Sequence, residues 1–212
     1  MASTALTATS EMCFYVFDCL INALDGKKKP KAPSSIPTTP CLLFVTYRYG
    51  SSPDYERNDL RGCKGTTANP KPLPYMLHSF ALNSAFDDRR FNKITKREVP
   101  KLHCGVNLLH SFEPAQDCYD WEVGVHGILI DIRVIDQKTK RTTFESGAIY
   151  LPSVAVEQGW NKQQTVKSLV RKAGWNGHFD LNMIEIVTTR YQASDTHVSY
   201  SDYVAYKKNG SS

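Results

Sequence analysis

No apolar run in this chain approaches the ~20 residues that a membrane-spanning helix needs, so no membrane is expected among its partners. The stretch Met1-Ala2-Ser3-Thr4-Ala5-Leu6-Thr7 has neither a positive n-region nor a long apolar core, and a secretory signal is not expected. No Cys-x-x-Cys occurs, and His103, Cys104 and His110 lack the spacing of a zinc site; neither a metal nor another cofactor is expected. The six cysteines, Cys13, Cys19, Cys41, Cys63, Cys104 and Cys118, are scattered without a framework. Without a signal peptide they are expected as reduced thiols in the nucleus or the cytoplasm. Basic residues are not interleaved with aromatics in a stripe, which disfavours a nucleic-acid partner. No internal repeat is seen.

What is present describes a globular protein. A chain of 212 residues with 41% hydrophobic content can bury a proper core. Its net charge of +5 permits an acidic partner without requiring one. Residues 1–9 are small and polar and are expected to be disordered. A helix follows, with Cys13, Phe17, Leu20 and Leu24 on one stripe, Ser10 as its cap and Gly26 as its stop. Residues 26–40 hold Pro30, Pro33, Pro37 and Pro40 and read as a linker. Lys27, Lys28, Lys29 and Lys31 in it suit a nuclear-import signal or an acidic-surface contact; the plainer reading is a solvated, self-repelling linker. Ser34-Ser35-Ile36-Pro37 also resembles the Ser-x-Ile-Pro segment that docks on microtubule end-binding proteins.

Leu42–Tyr49 reads as a strand and Gly50–Asp59 as a polar loop. A helix is expected over Leu73–Phe86 and a half-buried strand over Leu102–Leu109. Ile128, Ile130, Ile132 and Val134 alternate into another strand, and a turn at Asp136–Thr139 leads back along Thr142–Tyr150. Asn161–Ala173 is a helix with an Asn161–Gln164 capping box and Gly174 at its end; Trp160 precedes it as an anchor. Met183–Tyr191 is a strand, Ser199–Tyr206 a short closing helix and Lys207–Ser212 a tail. Short strand-to-strand connections make the class α+β, with a mainly antiparallel sheet flanked by helices.

The stretch that carries chemistry is Leu60-Arg61-Gly62-Cys63-Lys64-Gly65-Thr66. Glycines on both sides of Cys63 suit a tight turn whose successive N–H groups form an anion-binding nest. Arg61 and Lys64 would favour a Cys63 thiolate, which is what nucleophilic catalysis needs. The plainer reading is a turn whose cysteine fills a small apolar gap. His126, at the entry to the strand that begins near Ile128, is the candidate base for Cys63. Its plainer reading is a structural histidine held by Glu122 or by backbone.

This heptad, with Cys41-Leu42-Leu43-Phe44-Val45-Thr46, Asp88-x-Arg90-Phe91, Asp120-Trp121-Glu122-Val123-Gly124-Val125-His126-Gly127-Ile128, Tyr150-Leu151-Pro152 and Glu157-Gln158-Gly159-Trp160, resembles the AMMECR-type domain, named after the Alport syndrome, mental retardation, midface hypoplasia and elliptocytosis chromosomal region. The likeness runs from the first helix to Tyr203, one domain over residues 10–206. It implies a larger and a smaller subdomain with the heptad beside a cleft. It implies a site that gathers Arg61, Gly62, Lys64, Gly65, Thr66, Asp88, Arg90, Tyr150, Gln158 and Trp160, with Cys63 and His126 as catalytic candidates. Lys64 stands where the family usually has an aliphatic residue, and Ser153 where it has an acidic one.

Two readings of function come first. One is an intracellular regulatory or interaction protein with a protein partner, or a small anionic ligand, at the heptad. The other is a cysteine-dependent enzyme in which Arg61 and the Gly62, Gly65 and Thr66 amides hold an anionic or acyl group. Prokaryotic relatives of the domain occur beside radical-chemistry and dioxygenase-like proteins, and the resemblance therefore suggests nucleotide or RNA modification for the second. A small-molecule or nucleic-acid-binding module is a third class.

Overall fold

A computed structural model describes residues 6–136 and 138–210. Residues 1–5 of the expected disordered start, Gln137 of the expected turn and the last two residues of the expected tail lie outside it. The elements are α1 (Ser10–Leu24), β1 (Pro40–Tyr49), β2 (Asp59–Pro72), α2 (Leu73–Phe86), β3 (Leu102–Pro114), β4 (Gly127–Ile135), β5 (Thr142–Tyr150), α3 (Pro152–Glu157), α4 (Lys162–Lys172), β6 (Ile184–Ser199) and α5 (Tyr200–Asn209). The class is α+β with antiparallel pairing, as the short connections require. The chain divides into two compact units, Met1–Leu109 with Ser194–Ser212, and His110–Ala193.

In the first unit β1 pairs antiparallel with both β2 and β3. Leu43, Val45 and Tyr47 alternate toward the core, where they meet Cys13, Val16, Phe17 and Leu20 of α1 and Leu73, Met76, Leu77 and Ala81 of α2. The α2 bounds are those its apolar spacing predicts, with Pro74 in the first turn where a missing N–H costs nothing. Tyr203 of α5 packs on Phe14 and Phe17 and donates to Asp18 at 2.7 Å. That helix runs through Asn209, so Lys207–Asn209 are helical rather than tail.

Three expectations are corrected here. Residues 6–9 are not loose: Ala8 is buried and its N–H donates to Ser194 Oγ at 2.9 Å, while Thr9 rather than Ser10 is the α1 cap residue. The 26–40 segment is tied down, because Ile36 is 97% removed from solvent and its N–H donates to Pro33 O. Burying an isoleucine side chain is worth about 1.5–3 kcal/mol, so the segment docks instead of swinging free. Ile36 is therefore not displayed for an end-binding partner. Finally, β3 is buried on both faces through Val106. Tyr55, from a 3-10 turn in the 50–59 loop, covers the far face: its ring stacks on His197 at 4.4 Å and its hydroxyl sits where a Cβ on Gly105 would be. Asn58 is the plug of that loop, accepting from Ser52 N and donating to the Ser52, Asp54 and Tyr55 carbonyls.

In the second unit β4 pairs antiparallel with β5 and β6. Ile128, Ile130, Ile132 and Val134 share one core with Val166, Leu169 and Val170 of α4, Ala173 just after it, Trp121 and Cys118. The Asn161–Gln164 capping box opens α4 as predicted, and Gly174 closes it at φ +103°. The sequence reading has no helix at α3, whose six residues start at a proline and contribute only Ala155 to the core.

Candidate functional site

The heptad is a strand, not a turn. Leu60–Thr66 lies in β2, an edge strand, and pairs with β1 so that Cys63 faces Thr46, Lys64 faces Val45 and Gly65 faces Phe44. Neither Gly62 nor Gly65 has positive φ. In an extended strand successive N–H groups point to opposite edges and cannot converge on one anion, so the expected nest does not form. The glycines are needed for close approach. A Cβ on Gly62 would sit 2.1 Å from the Ser84 carbonyl oxygen, and one on Gly65 would sit 2.3 Å from the Leu43 oxygen and 2.4 Å from the Phe44 ring.

That approach brings the end of α2 against the strand and fills its hydrogen bonds from within. Buried Ser84 accepts the Lys64 N–H at 2.9 Å and donates to the Val45 carbonyl at 2.8 Å, bridging a cross-strand pair through one hydroxyl. Beyond α2, the Asp88 carboxylate accepts the Cys63 N–H at 2.9 Å. Arg90 grips Asp88 through Nε at 2.9 Å and Nη2 at 2.6 Å, and reaches the Cys63 carbonyl at 3.4 Å. Asp88 is buried, and the Arg90 bonds first, with the Cys63 and Arg90 amides, hold its carboxyl well below the usual range against the cost of burial. The anion at the heptad is thus one of the protein's own side chains.

Arg61 is engaged in the same way. The ladder shifts there, with Leu60 opposite Arg48 and Gly62 opposite Tyr47, so Arg61 is the extra residue of a bulge. Its fork donates to Glu98 at 2.7 and 3.3 Å and to the carbonyls of Asn92 and Lys93. Burial opposes the charge of Glu98, but Arg61 and Thr95 outweigh it and set its pKa below the usual value. Glu98 therefore offsets the help that a Cys63 thiolate was expected to draw from Arg61. Cys63 is half-buried while the other five free thiols are buried, and the Thr46 hydroxyl donates to its sulfur at 3.2 Å. Thr66 turns its hydroxyl to Ala68.

The remaining candidates belong to the second unit. His126 Nδ1 accepts the Glu122 N–H at 3.1 Å, and the His126 backbone N–H donates to the Glu122 carbonyl, around Gly124 at φ +83°. With Nδ1 an acceptor, the neutral ring carries its proton on Nε2. Tyr150 donates to or accepts from Ser168 at 3.0 Å, lies under Lys172 Nζ at 4.5 Å and packs its ring beside Trp160. Gln158 is exposed at the end of α3. Cys63 and His126 fall in different units.

Ser84, Thr46 and Glu98 were missed as site residues. Ser84 had a signal, a small polar residue among the alanines of an otherwise apolar helix face; Glu98 had none, because its partner is 37 residues away. Among the described residues no group of three or more His, Cys, Asp or Glu is placed to hold a metal ion, and no helix is long and apolar enough to cross a membrane.

Comparison with known proteins places these motifs in a set. The AMMECR1 family model matches residues 13–196. An uncharacterized protein of Arabidopsis thaliana is 38% identical over 204 residues, covering 96% of this chain and 91% of the relative. One of Schizosaccharomyces pombe is 35% identical over 195 residues, 92% of this chain and 94% of the relative. The crystal structure of an uncharacterized protein from Pyrococcus horikoshii superposes with a TM-score of 0.71 over 90% of this chain and 93% of that one, at 20% identity, and so shares the fold.

Proposed function

The chain belongs to the AMMECR1 family, and on that footing we propose that it is an intracellular regulatory or interaction protein whose partner site is the outer strand around Leu60–Thr66. One observation carries the reading. The Cys63 and Lys64 amides and the Arg61 guanidinium already have internal acceptors in Asp88, Ser84 and Glu98. The heptad offers side chains on a rigid edge rather than open donors for an oxyanion, which suits recognition better than acyl chemistry. Six free thiols fit a reducing compartment, nucleus or cytoplasm. The test is recovery of a stoichiometric protein partner by the tagged full chain, repeated with Lys64→Glu. Loss of the partner with unchanged thermal unfolding supports the site; a partner indifferent to Lys64→Glu, or none at all, refutes it.

A second reading rests on the Thr46–Cys63 hydrogen bond and the partial exposure of that one thiol. In it Cys63 is the nucleophile of an enzyme acting on an anionic or acyl substrate, linked to nucleotide or RNA modification. The alkylation rate of Cys63 against pH, read by mass spectrometry, decides it. A midpoint well below the ~8.5 of free cysteine supports it; an ordinary midpoint removes it.

A further inference from the structure

One cavity of the second unit is lined by residues that belong to none of the motifs quoted above. Lys167, Val170 and Arg171 of α4 form one side, and Trp175, His178 and Phe179 of the loop after it form the other. It holds about 130 Å³. A cavity of roughly 150 Å³ accommodates one benzene ring, so this one is sized for about one ring.

Its charge is one-sided. The eleven residues of α4, Lys-Gln-Gln-Thr-Val-Lys-Ser-Leu-Val-Arg-Lys, carry four cations and no acid. Two of the four have other work: Lys162 Nζ donates to the Tyr119 carbonyl, and Lys172 Nζ donates to the Ile149 carbonyl and covers the Tyr150 ring. Lys167 and Arg171 have no ion-pair partner among the described residues, and both line the cavity. They stand at i and i+4, where like charges on a helix destabilise it. An anion between them reverses that term. Arg171 alone could be explained by its place in the last turn, where the helix dipole favours a cation; Lys167, a turn earlier, could not.

The apolar side is preformed. Trp175 Nε1 donates to the His178 carbonyl at 3.2 Å, folding the loop back on itself. Gly177 lies against the indole so closely that a Cβ would be 2.4 Å from it, and Phe144 supports the ring from β5 at 5.7 Å. Trp175 and Phe179 thus present aromatic surface beside two uncompensated cations without needing a ligand to order them.

We propose that this cavity binds a small organic anion built on one planar ring, an aromatic carboxylate or aryl phosphate, with the anionic group on Lys167 and Arg171 and the ring against Trp175 and Phe179. The probe is phenyl phosphate, titrated into the full chain while the indole N–H resonances are followed; Trp175→Phe identifies the reporting signal. The expected result is a saturable shift of that resonance and a weakening of roughly tenfold or more in each of Lys167→Gln and Arg171→Gln, the size of a lost charged hydrogen bond. Phenol should not saturate it, and inorganic phosphate should bind more weakly. The Trp121 indole, which donates to the Cys118 carbonyl in the core, reports that the variants remain folded. No saturable shift, equal affinity for inorganic phosphate, or unchanged affinity in the folded double variant would overturn the proposal.

Discussion

Asp88 Oδ2 lies 2.9 Å from the amide nitrogen of Cys63, a carboxylate from beyond the end of α2 filling the position in which a substrate anion would be sought. Because Arg90 neutralises Asp88 through two nitrogens, the heptad backbone is closed by an internal ion pair. The first consequence is a pH dependence. Asp88 has its pKa lowered in the fold, so its contribution is fully present above the unfolded value near 3.9 and is lost as pH falls below it. Urea unfolding from pH 7 to pH 3 should show stability falling below about pH 4 in the native sequence. Asp88→Asn should start about 1–3 kcal/mol lower at pH 7 and decline less. Equal slopes for the two proteins would remove Asp88 from the account.

Gly62 has no room for a side chain. Its missing Cβ would overlap a helix carbonyl, which cannot swing away as a side-chain tip can. Gly62→Ala is expected to cost at least the 1–3 kcal/mol of an overpacked core, measured by the urea midpoint. Gly159→Ala is the control: φ is +64° but nothing lies within 4 Å, so only the left-handed backbone penalty of about 1–2 kcal/mol applies.

Ser84→Ala removes a hydroxyl and leaves two backbone groups of the β1–β2 ladder, Lys64 N–H and Val45 C=O, without it. The cost of such stranded groups is about 1–3 kcal/mol each when water cannot replace the bond. The Lys64 amide should also exchange with solvent faster in this variant, while the Asp88-bound Cys63 amide keeps its protection. Simultaneous loss at both amides would mean that the helix end, not the hydroxyl, holds the strand.

The sequence was legible wherever a rule acts over a few residues. The α2 bounds, the α4 capping box and the alternation of Ile128, Ile130, Ile132 and Val134 all follow from spacings of two to four positions. It was misleading where glycine and proline had long-range reasons. Gly62 and Gly65 suggest a turn, yet their need is room for Ser84 and Phe44, 22 and 21 residues away in the chain. The prolines of residues 26–40 suggest a free linker, but one apolar side chain, Ile36, docks it. The motif residues drew attention to the heptad and to Asp88 and Arg90. The contacts that define the heptad's chemistry were not legible, because Asp88, Ser84 and Glu98 meet it only in the folded chain.

The most direct test is an amide-resolved titration of the native protein with inorganic phosphate, combined with hydrogen exchange at Cys63 and Lys64. The account predicts that both amides are protected and that neither resonance moves, since Asp88 and Ser84 already occupy them. Rapid exchange at the two amides with a saturable phosphate shift would contradict it and return the heptad to the role of an anion-binding catalytic loop.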